Sequence, residues 1–304
     1  RKLLFCGHLD TVAAWPAAEG SFPPHGAVAE GGRIYGRGAA DMKSGLAAML
    51  LALVSLKRDG IRPEGDLMFL ATAGEEADCC GAQAFVRDGG LRGVDAVVIG
   101  EPTGNRVVTG HKGALWLRLA AYGKSAHAAM PEAGRNAVEA AMEAAARLRR
   151  EAAGWRERDA LLGAPSLAVT RIRGGAQINV VPDYCELEAD IRFVPPLSGE
   201  VLYHRLEAAL AGPGGQPGVL YGKRDEPEGN RNEPDKTGGE RDEPKVCEGV
   251  RLELKPLAVR NPVLTPPSDP VVRYALDISA EIGGESPGEP DTVPYYTDGS
   301  VLQQ

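Results

Sequence analysis

The sequence predicts an α/β fold in which helices flank a mostly parallel β-sheet, with a smaller α+β domain inserted into the chain. Three short apolar runs, at residues 2–6, 67–73 and 96–99, have the length expected of buried parallel strands. An apolar segment rich in Ala, Leu and Met follows Gly45 and indicates a buried helix between the first two strands. The middle of the chain alternates shorter strands and helices, which is typical of a separate α+β layer.

The first predicted strand ends at His8, in the sequence G-H-L-D-T-V. Catalytic groups in parallel α/β sheets commonly lie where a strand ends and a loop begins. Asp10 follows two residues later, where it can accept the free ring N–H of His8 and fix the tautomer of the imidazole. This pair is a weak motif when taken alone, because a structural histidine at a strand end is more common.

The helix after the first strand is preceded by G-R-G-A-A-D-M-K-S-G. Asp41 falls at or just before the first turn of this helix, where aspartate is a preferred N-cap. The alternative is a carboxylate whose two oxygens bridge two metal ions. Taken by itself, the motif favours the cap.

Acidic residues follow the other two strands. The second strand runs into Gly74 and then into Glu75 and Glu76, and the third runs through Gly100 into Glu101. Adjacent residues of an extended chain point to opposite sides, so one acid of the pair can bind a metal while its neighbour faces a substrate as a general base. Two like charges held together are costly unless a cation compensates them.

All of these groups are expected at one edge of the sheet, because the carboxyl ends of parallel strands lie together. Several carboxylates with one imidazole suit Zn²⁺, Co²⁺ or Mn²⁺ better than a metal that prefers thiolates. The sequence therefore predicts a metal site built from the strand ends and the start of the first helix.

In this order, G-H-L-D-T-V, G-R-G-A-A-D-M-K-S-G, A-G-E-E and G-E-P-T-G resemble a known family. It is the family of acetylornithine deacetylase, succinyl-diaminopimelate desuccinylase, aminoacylase and carboxypeptidase G, which are co-catalytic zinc metallopeptidases and amidohydrolases. The resemblance covers most of the chain. It implies a metallo-exopeptidase-like catalytic domain that holds two divalent metal ions, with zinc expected and cobalt or manganese as alternatives.

The resemblance also assigns roles to the acidic residues. It implies that His8 and Glu101 bind one metal, that Glu76 binds the other and that Asp41 bridges the two. Glu75 would be the general base, which takes a proton from the attacking water and passes it to the leaving nitrogen.

The domain boundaries are expected at residues 1–110 and 261–304 for the catalytic domain and at 111–260 for the insert. In the family this insert is a lid that forms a homodimer, and G-K-S-A-H-A-A-M-P matches its histidine loop. His127 would then hydrogen-bond the developing oxyanion. Asn179 and Arg192 match positions that contact substrate, although the first could instead serve a turn and the second a strand face. Within the insert, residues 212–249 repeat charged-Glu-Pro units and are expected to be a disordered insertion.

The last residues include Thr297, Asp298 and Gly299, which resemble the substrate-binding T-D-G segment of the family. The chain is expected to be truncated at both ends, because it starts inside a predicted strand and has no histidine after His204. The resemblance implies a further metal-binding histidine downstream, so the second metal would lack a protein ligand, whereas catalytic sites usually supply about three.

Composition is consistent with a soluble enzyme of two domains. The chain has 304 residues, of which 43% are hydrophobic and 25% charged. A net charge of -8 argues against a nucleic-acid partner, and no run of about 18 apolar residues indicates a membrane span. Five cysteines without a C-x-x-C pair suggest a reducing compartment, and a cytoplasmic location is expected.

The predicted function is a metal-dependent amidohydrolase that removes the acyl group from an N-acyl amino acid. One alternative is a dipeptidase or carboxypeptidase of the same family, which would act on a dipeptide or another small peptide-like amide. The other is a catalytically impaired fragment that forms a dimer and binds at most one metal. Shared metal chemistry does not determine which substrate is used.

Overall fold

The computed structural model describes residues 1–14, 21–211, 249–283 and 288–303, and these residues divide into two compact units. The first unit comprises Arg1–Gly113, Asp159–Gly163 and Arg260–Gln304, and the second comprises Ala114–Arg158 and Ala164–Val259. The Glu-Pro-rich segment predicted to be disordered lies outside the described residues, apart from Gly249.

The described residues form strands and helices in an order close to the one predicted. The strands are β1 (Lys2–His8), β2 (Val28–Glu30), β3 (Arg33–Tyr35), β4 (Asp66–Thr72), β5 (Ala96–Ile99), β6 (Val108–His111), β7 (Gly113–Tyr122), β8 (Ala126–His127), β9 (Ser166–Gly174), β10 (Val180–Val181), β11 (Tyr184–Phe193), β12 (Arg251–Arg260), β13 (Val263–Leu264) and β14 (Asp291–Val293). The helices are α1 (Ser44–Arg58), α2 (Cys80–Arg87), α3 (Ala137–Ala153), α4 (Gly199–Ala211), α5 (Pro270–Gly283) and α6 (Gly299–Leu302). A π-helical turn, Ala39–Lys43, precedes α1, and a 3₁₀ turn, Pro131–Ala133, precedes α3.

A parallel sheet of order β4-β1-β5 forms the centre of the first unit. The apolar run that predicted β1 is largely buried, and Leu4 and Cys6 are fully so. In the register of the sheet, His8 pairs with Thr72, and Cys6 pairs with Ile99 at the end of β5. A second sheet, of order β13-β6-β14, was not predicted from the sequence.

Helix α1 packs against the parallel sheet through Leu46 and Met49, which cluster with Met42 against Phe5 and Phe69. Taken together with the π-helical turn, the segment Ala39–Arg58 is long and apolar enough to cross a membrane by length and composition alone. The core helix of a soluble protein passes the same test, so this observation is weak evidence for a membrane span. The expected absence of membrane association stays a prediction.

The second unit is a four-stranded sheet of order β12-β7-β11-β9, with its core between the sheet and helices α3 and α4. Alternate residues of β11 are buried, as the period of two along a strand requires. Helix α3 begins after Asn136, whose side chain accepts hydrogen bonds from the backbone N–H groups of Val138 and Glu139. This capping ends the preceding loop and starts the alanine-rich helix.

Three stretches expected within the insert belong to the first unit, namely residues 111–113, Asp159–Gly163 and Arg260. The longest of them is Asp159–Gly163. The carboxylate of Asp159 accepts from the N–H groups of Leu161 and Leu162, and the carbonyl of Leu161 accepts from the Thr292 hydroxyl at 3.0 Å. A turn held by its own aspartate thus packs on β14, a contact between distant parts of the chain that sequence pattern does not reveal.

Candidate metal centre

Four of the predicted side chains meet at the carboxyl edge of the parallel sheet. His8 is the last residue of β1, Glu75 follows β4, and Glu101 follows β5. Asp41 reaches the same place from the π-helical turn before α1. The strand order β4-β1-β5 puts His8 on the central strand, between the two loops that carry the glutamates.

His8 is the centre of a group of potential metal ligands and is only 1% exposed. Its Nε2 lies 3.1 Å from Asp41 Oδ1 and 3.8 Å from Glu101 Oε1. One ligand atom from each of the three residues can be chosen so that all lie within 4.8 Å of one another. Because Asp41 faces Nε2 of His8 and the N-cap position of α1 belongs to Lys43, the predicted helix cap is not the role of Asp41.

The tautomer of His8 is set by a backbone group. Its Nδ1 lies 2.9 Å from the carbonyl oxygen of Asp10, which can only accept, so Nδ1 carries a proton and the neutral ring would offer its Nε2 lone pair to a metal. The carboxylate of Asp10, which was expected to do this, lies 3.7 Å from Nδ1. It accepts instead from the N–H groups of Gly74 and Glu76, at 2.8 and 3.1 Å. Asp10 therefore holds the turn that carries the paired glutamates.

The two glutamates of that turn differ in surroundings. Glu75 is buried, and its Oε2 lies 4.0 Å from His8 Nε2. Glu76 accepts a hydrogen bond from the N–H of Val12 at 3.1 Å through its Oε1. Burial, followed by the nearby charge of Glu101, raises the pKa of Glu75 to about 9. Burial also raises the pKa of Glu101, although the neighbouring His8 opposes this shift.

The donor set fits a divalent metal ion. One imidazole beside two carboxylates is a ligand combination that zinc, cobalt and manganese all accept. Without a cation, burial and mutual repulsion keep protons on Glu75 and Glu101 at pH values where free carboxyls have lost them. A bound cation would remove this penalty, so His8, Asp41 and Glu101 fit a divalent metal ion. The number and identity of the ions stay predictions.

The raised pKa of Glu75 predicts how the stability of the metal-stripped chain depends on pH. Between its ordinary pKa of 4.5 and about 9, the folded state holds a proton that the unfolded state has released. Stability should therefore fall as pH rises through this window. Thermal unfolding at pH 5 and pH 8 checks this expectation, and Glu75→Gln should show a smaller difference between the two. An equal pH dependence in the variant would contradict it.

The approach of α1 to the site depends on Gly45. A Cβ at this position would overlap the carbonyl oxygen of Gly100, the residue just before Glu101. Gly45→Ala should therefore displace the loop of Glu101 or the start of α1 and weaken metal binding, as a calorimetric titration would show. Gly283→Ala is the matched control, because a Cβ there meets nothing within 4 Å at the end of another helix. Equal zinc affinity in the two variants would refute this packing argument.

The predicted substrate segment also lies in the first unit, but its side chains are turned inward. Thr297 is buried, and its hydroxyl accepts from the N–H of Gly299 at 3.0 Å. Asp298 is buried and accepts a 2.6 Å hydrogen bond from Thr72, at the end of β4. Burial raises the pKa of Asp298, and the hydrogen bond from Thr72 opposes the shift. These bonds fasten the segment beside the turn of Glu75, so its side chains serve first to hold the loop.

The three predicted residues of the insert lie in the second unit. His127 and Asn179 are neighbours, because β8 and β10 pair His127 with Val180 and the carbonyl of Asn179 accepts from Ala128. His127 is exposed, and its Nδ1 accepts from the N–H of Ala129 at 3.1 Å, which places the proton of the neutral ring on Nε2.

Arg192 lies apart from that pair, on β11. Its Nε and Nη2 donate to the two carboxylate oxygens of Asp190, at 2.7 and 2.8 Å. A substrate carboxylate would have to compete with Asp190 for these two N–H donors of Arg192.

Four residues near the site were missed by sequence reasoning. The carbonyl of Glu75 accepts from the hydroxyl of Tyr296 at 3.2 Å. The remaining three are Thr72, Cys79 and Arg260, which form hydrogen bonds beneath the same turn. Thr72 and Tyr296 adjoin recognised motifs and could have been suspected from their positions. Cys79 and Arg260 carry no local signal.

A model of peptidase family M20/M25/M40 matches residues 4–304 of the chain. The chain belongs to this family. The resemblance drawn from the four motifs is therefore confirmed.

One curated relative is named for a deacylation reaction. A probable succinyl-diaminopimelate desuccinylase of Staphylococcus aureus is 31% identical over 224 residues, which are 66% of this chain and 56% of the relative. The chain thus spans about half the length of the curated relatives it matches.

Two solved structures confirm the predicted fold. An M20 family metallo-carboxypeptidase from Sulfolobus solfataricus is 19% identical with a TM-score of 0.69, over 99% of this chain and 74% of that one. Human carnosine dipeptidase 1 is 15% identical with a TM-score of 0.68, over 99% and 70%. At these identities the likeness concerns the fold and leaves the substrate open.

Proposed function

We propose that the chain is the metal-binding part of an amidohydrolase that removes the acyl group from an N-acyl amino acid. The observation that carries the proposal is the position of Glu75. Its carboxylate is buried and lies 4.0 Å from His8 Nε2, beside the potential ligands Asp41 and Glu101. An acid in that place, with a pKa raised by burial, is suited to exchange protons during amide hydrolysis.

The residues of the site divide the work of hydrolysis. Divalent metal ions bound here would polarise the amide carbonyl and lower the pKa of water. His8, held in one tautomer by the carbonyl of Asp10, offers its Nε2 lone pair as a ligand with the carboxylates of Asp41 and Glu101. Glu75 would accept a proton from water at a carboxylate oxygen and deliver it to the leaving nitrogen. Asp10 keeps Glu75 in place through the turn at Gly74.

Two further assignments rest on the family resemblance. Glu76 would bind the second metal, for which its hydrogen bond from Val12 leaves one carboxylate oxygen. His127 would stabilise the oxyanion through its Nε2–H, the ring atom that its hydrogen bond from Ala129 leaves protonated. The dimer formed through the insert also stays a proposal.

Deacylation is preferred over dipeptide cleavage because a relative named as a desuccinylase is 31% identical. The test is amine release from N-succinyl and N-acetyl amino acids and from dipeptides, with metal-stripped and zinc-loaded chain. We expect release only with zinc and a higher kcat/KM for the acyl amino acids. A preference for dipeptides would favour the peptidase alternative. Bound zinc without any release would favour a metal-binding fragment.

A further inference from the structure

A buried cation lies beneath the turn that carries Glu75. Arg260, the last residue of β12, is only 6% exposed. Its Nε lies 3.2 Å from Cys79 Sγ, and its Nη2 donates to the carbonyl of Ala77 at 3.0 Å. Both acceptors belong to the loop 74–79, in which the carbonyl of Gly74 accepts from three successive N–H groups. The guanidinium therefore ties the buried Cys79 and the backbone of Ala77 to the end of β12.

The same guanidinium adjoins the segment that leads to Thr297. Its central carbon lies 5.8 Å from the centre of the Tyr296 ring. The hydroxyl of Tyr296 in turn donates to the carbonyl of Glu75 at 3.2 Å. Two residues later, Asp298 is bonded to Thr72 at the end of β4. Residues 296–298 are thus bonded to Glu75 in the loop and to Thr72 at the end of β4 just before it, and Arg260 contacts both the loop and Tyr296.

We propose that Arg260 is a positioning residue that holds loop 74–79 and the segment 296–299 in one arrangement. It acts through Ala77 and Cys79 on the loop and through the ring of Tyr296 on the segment. The kinetic part of this inference rests on the proposed function, because Glu75 is assigned there as the base. The structural part does not, since it concerns only how two loops are held.

The geometry explains why an arginine occupies this position. The acceptors on Ala77 and Cys79 are reached by two different nitrogens, Nη2 and Nε, which one planar guanidinium holds at a fixed separation. A lysine ammonium at the end of a flexible stem would keep the charge but lose this fixed fork. Arg260→Lys should therefore hold loop 74–79 and segment 296–299 in part, whereas Arg260→Met should not hold them.

Hydrogen exchange of the zinc-loaded chain tests the structural part without reference to activity. Two net hydrogen bonds of about 1 kcal/mol each correspond to roughly 10- to 30-fold faster exchange in 74–79 and 296–299 for Arg260→Met. Arg147→Met is the matched control, because Arg147 also donates to a backbone carbonyl, that of Leu210, but in the second unit. This control variant should leave the exchange rates of 74–79 and 296–299 unchanged. If Arg260→Met folds and both segments exchange their amide hydrogens at the wild-type rate, the proposal is overturned.

If Arg260→Met does not fold, Arg260→Lys decides the question. It should show faster exchange in 74–79 and 296–299 while the second unit exchanges at the wild-type rate. Exchange equal to wild type throughout would overturn the proposal.

Kinetics test the consequence for the base. Displacement of a catalytic group by about 1 Å can cost roughly 100-fold in rate, so kcat of the folded Arg260 variant should fall by roughly 10- to 100-fold. The zinc content should stay within about threefold of wild type, because Arg260 is not one of the potential metal ligands, and KM should change less than kcat. A change in KM alone would contradict a positioning role. A zinc-loaded wild-type chain without hydrolysis would reject the proposed function, and the exchange result would then decide this inference alone.

Discussion

Glu75→Gln is expected to lower kcat by roughly 10²- to 10⁴-fold, the usual contribution of a general base. Glutamine keeps the size of the side chain but cannot take a proton from water. Zinc binding should persist, because the group of potential ligands consists of His8, Asp41 and Glu101. Steady-state kinetics combined with metal analysis of the dialysed protein gives both quantities.

Glu76→Gln is the matched comparison, since it makes the same change one residue further on. Its carboxylate is assigned to the second metal, so zinc content should fall at one site in this variant. Turnover retained by Glu75→Gln would remove Glu75 as the base. Unchanged zinc content in Glu76→Gln would contradict the assignment of Glu76.

Asp41→Asn should abolish tight zinc binding. Structural zinc sites contribute about 10–16 kcal/mol through about four ligands, so one ligand is worth about 3 kcal/mol, or roughly 100-fold in affinity. The loss should be larger if Asp41 bridges two ions. The metal-free variant should unfold at a temperature close to wild type, because the Asp41 side chain is 52% exposed and its charge repels Glu75 and Glu101.

The measurement for Asp41→Asn is therefore the rise in unfolding temperature on adding zinc. Wild type should gain stability because zinc binds the folded state. The variant should gain little at the same zinc concentration. A rise equal to that of wild type would show that zinc binds elsewhere.

Sequence was sufficient for the parts of the site that follow from local pattern. Short apolar runs predicted β1, β4 and β5, and their parallel pairing explains why His8, Glu75 and Glu101 lie at one edge. The role of Asp10 was predicted less well. Its side chain and its own backbone carbonyl compete for His8, and sequence does not reveal that the carboxylate turns to the N–H groups near Gly74.

Other contacts could not be predicted because they join distant parts of the chain. The hydrogen bonds from Arg260 to Cys79 and from Tyr296 to Glu75 span 181 and 221 residues. Neither Arg260 nor Tyr296 belongs to a periodic pattern that would predict such a partner. The return of Asp159–Gly163 to the first unit has the same cause.

A calorimetric zinc titration of the metal-stripped chain, with Asp41→Asn titrated beside it, tests the central claim most directly. The account predicts at least one tight site in the wild-type chain and none in the variant. Two tight sites would add support for the assignment of Glu76, and one would indicate that the described cluster binds alone. Weak binding by wild type, or equal binding by both proteins, would contradict a metal centre built on His8, Asp41 and Glu101.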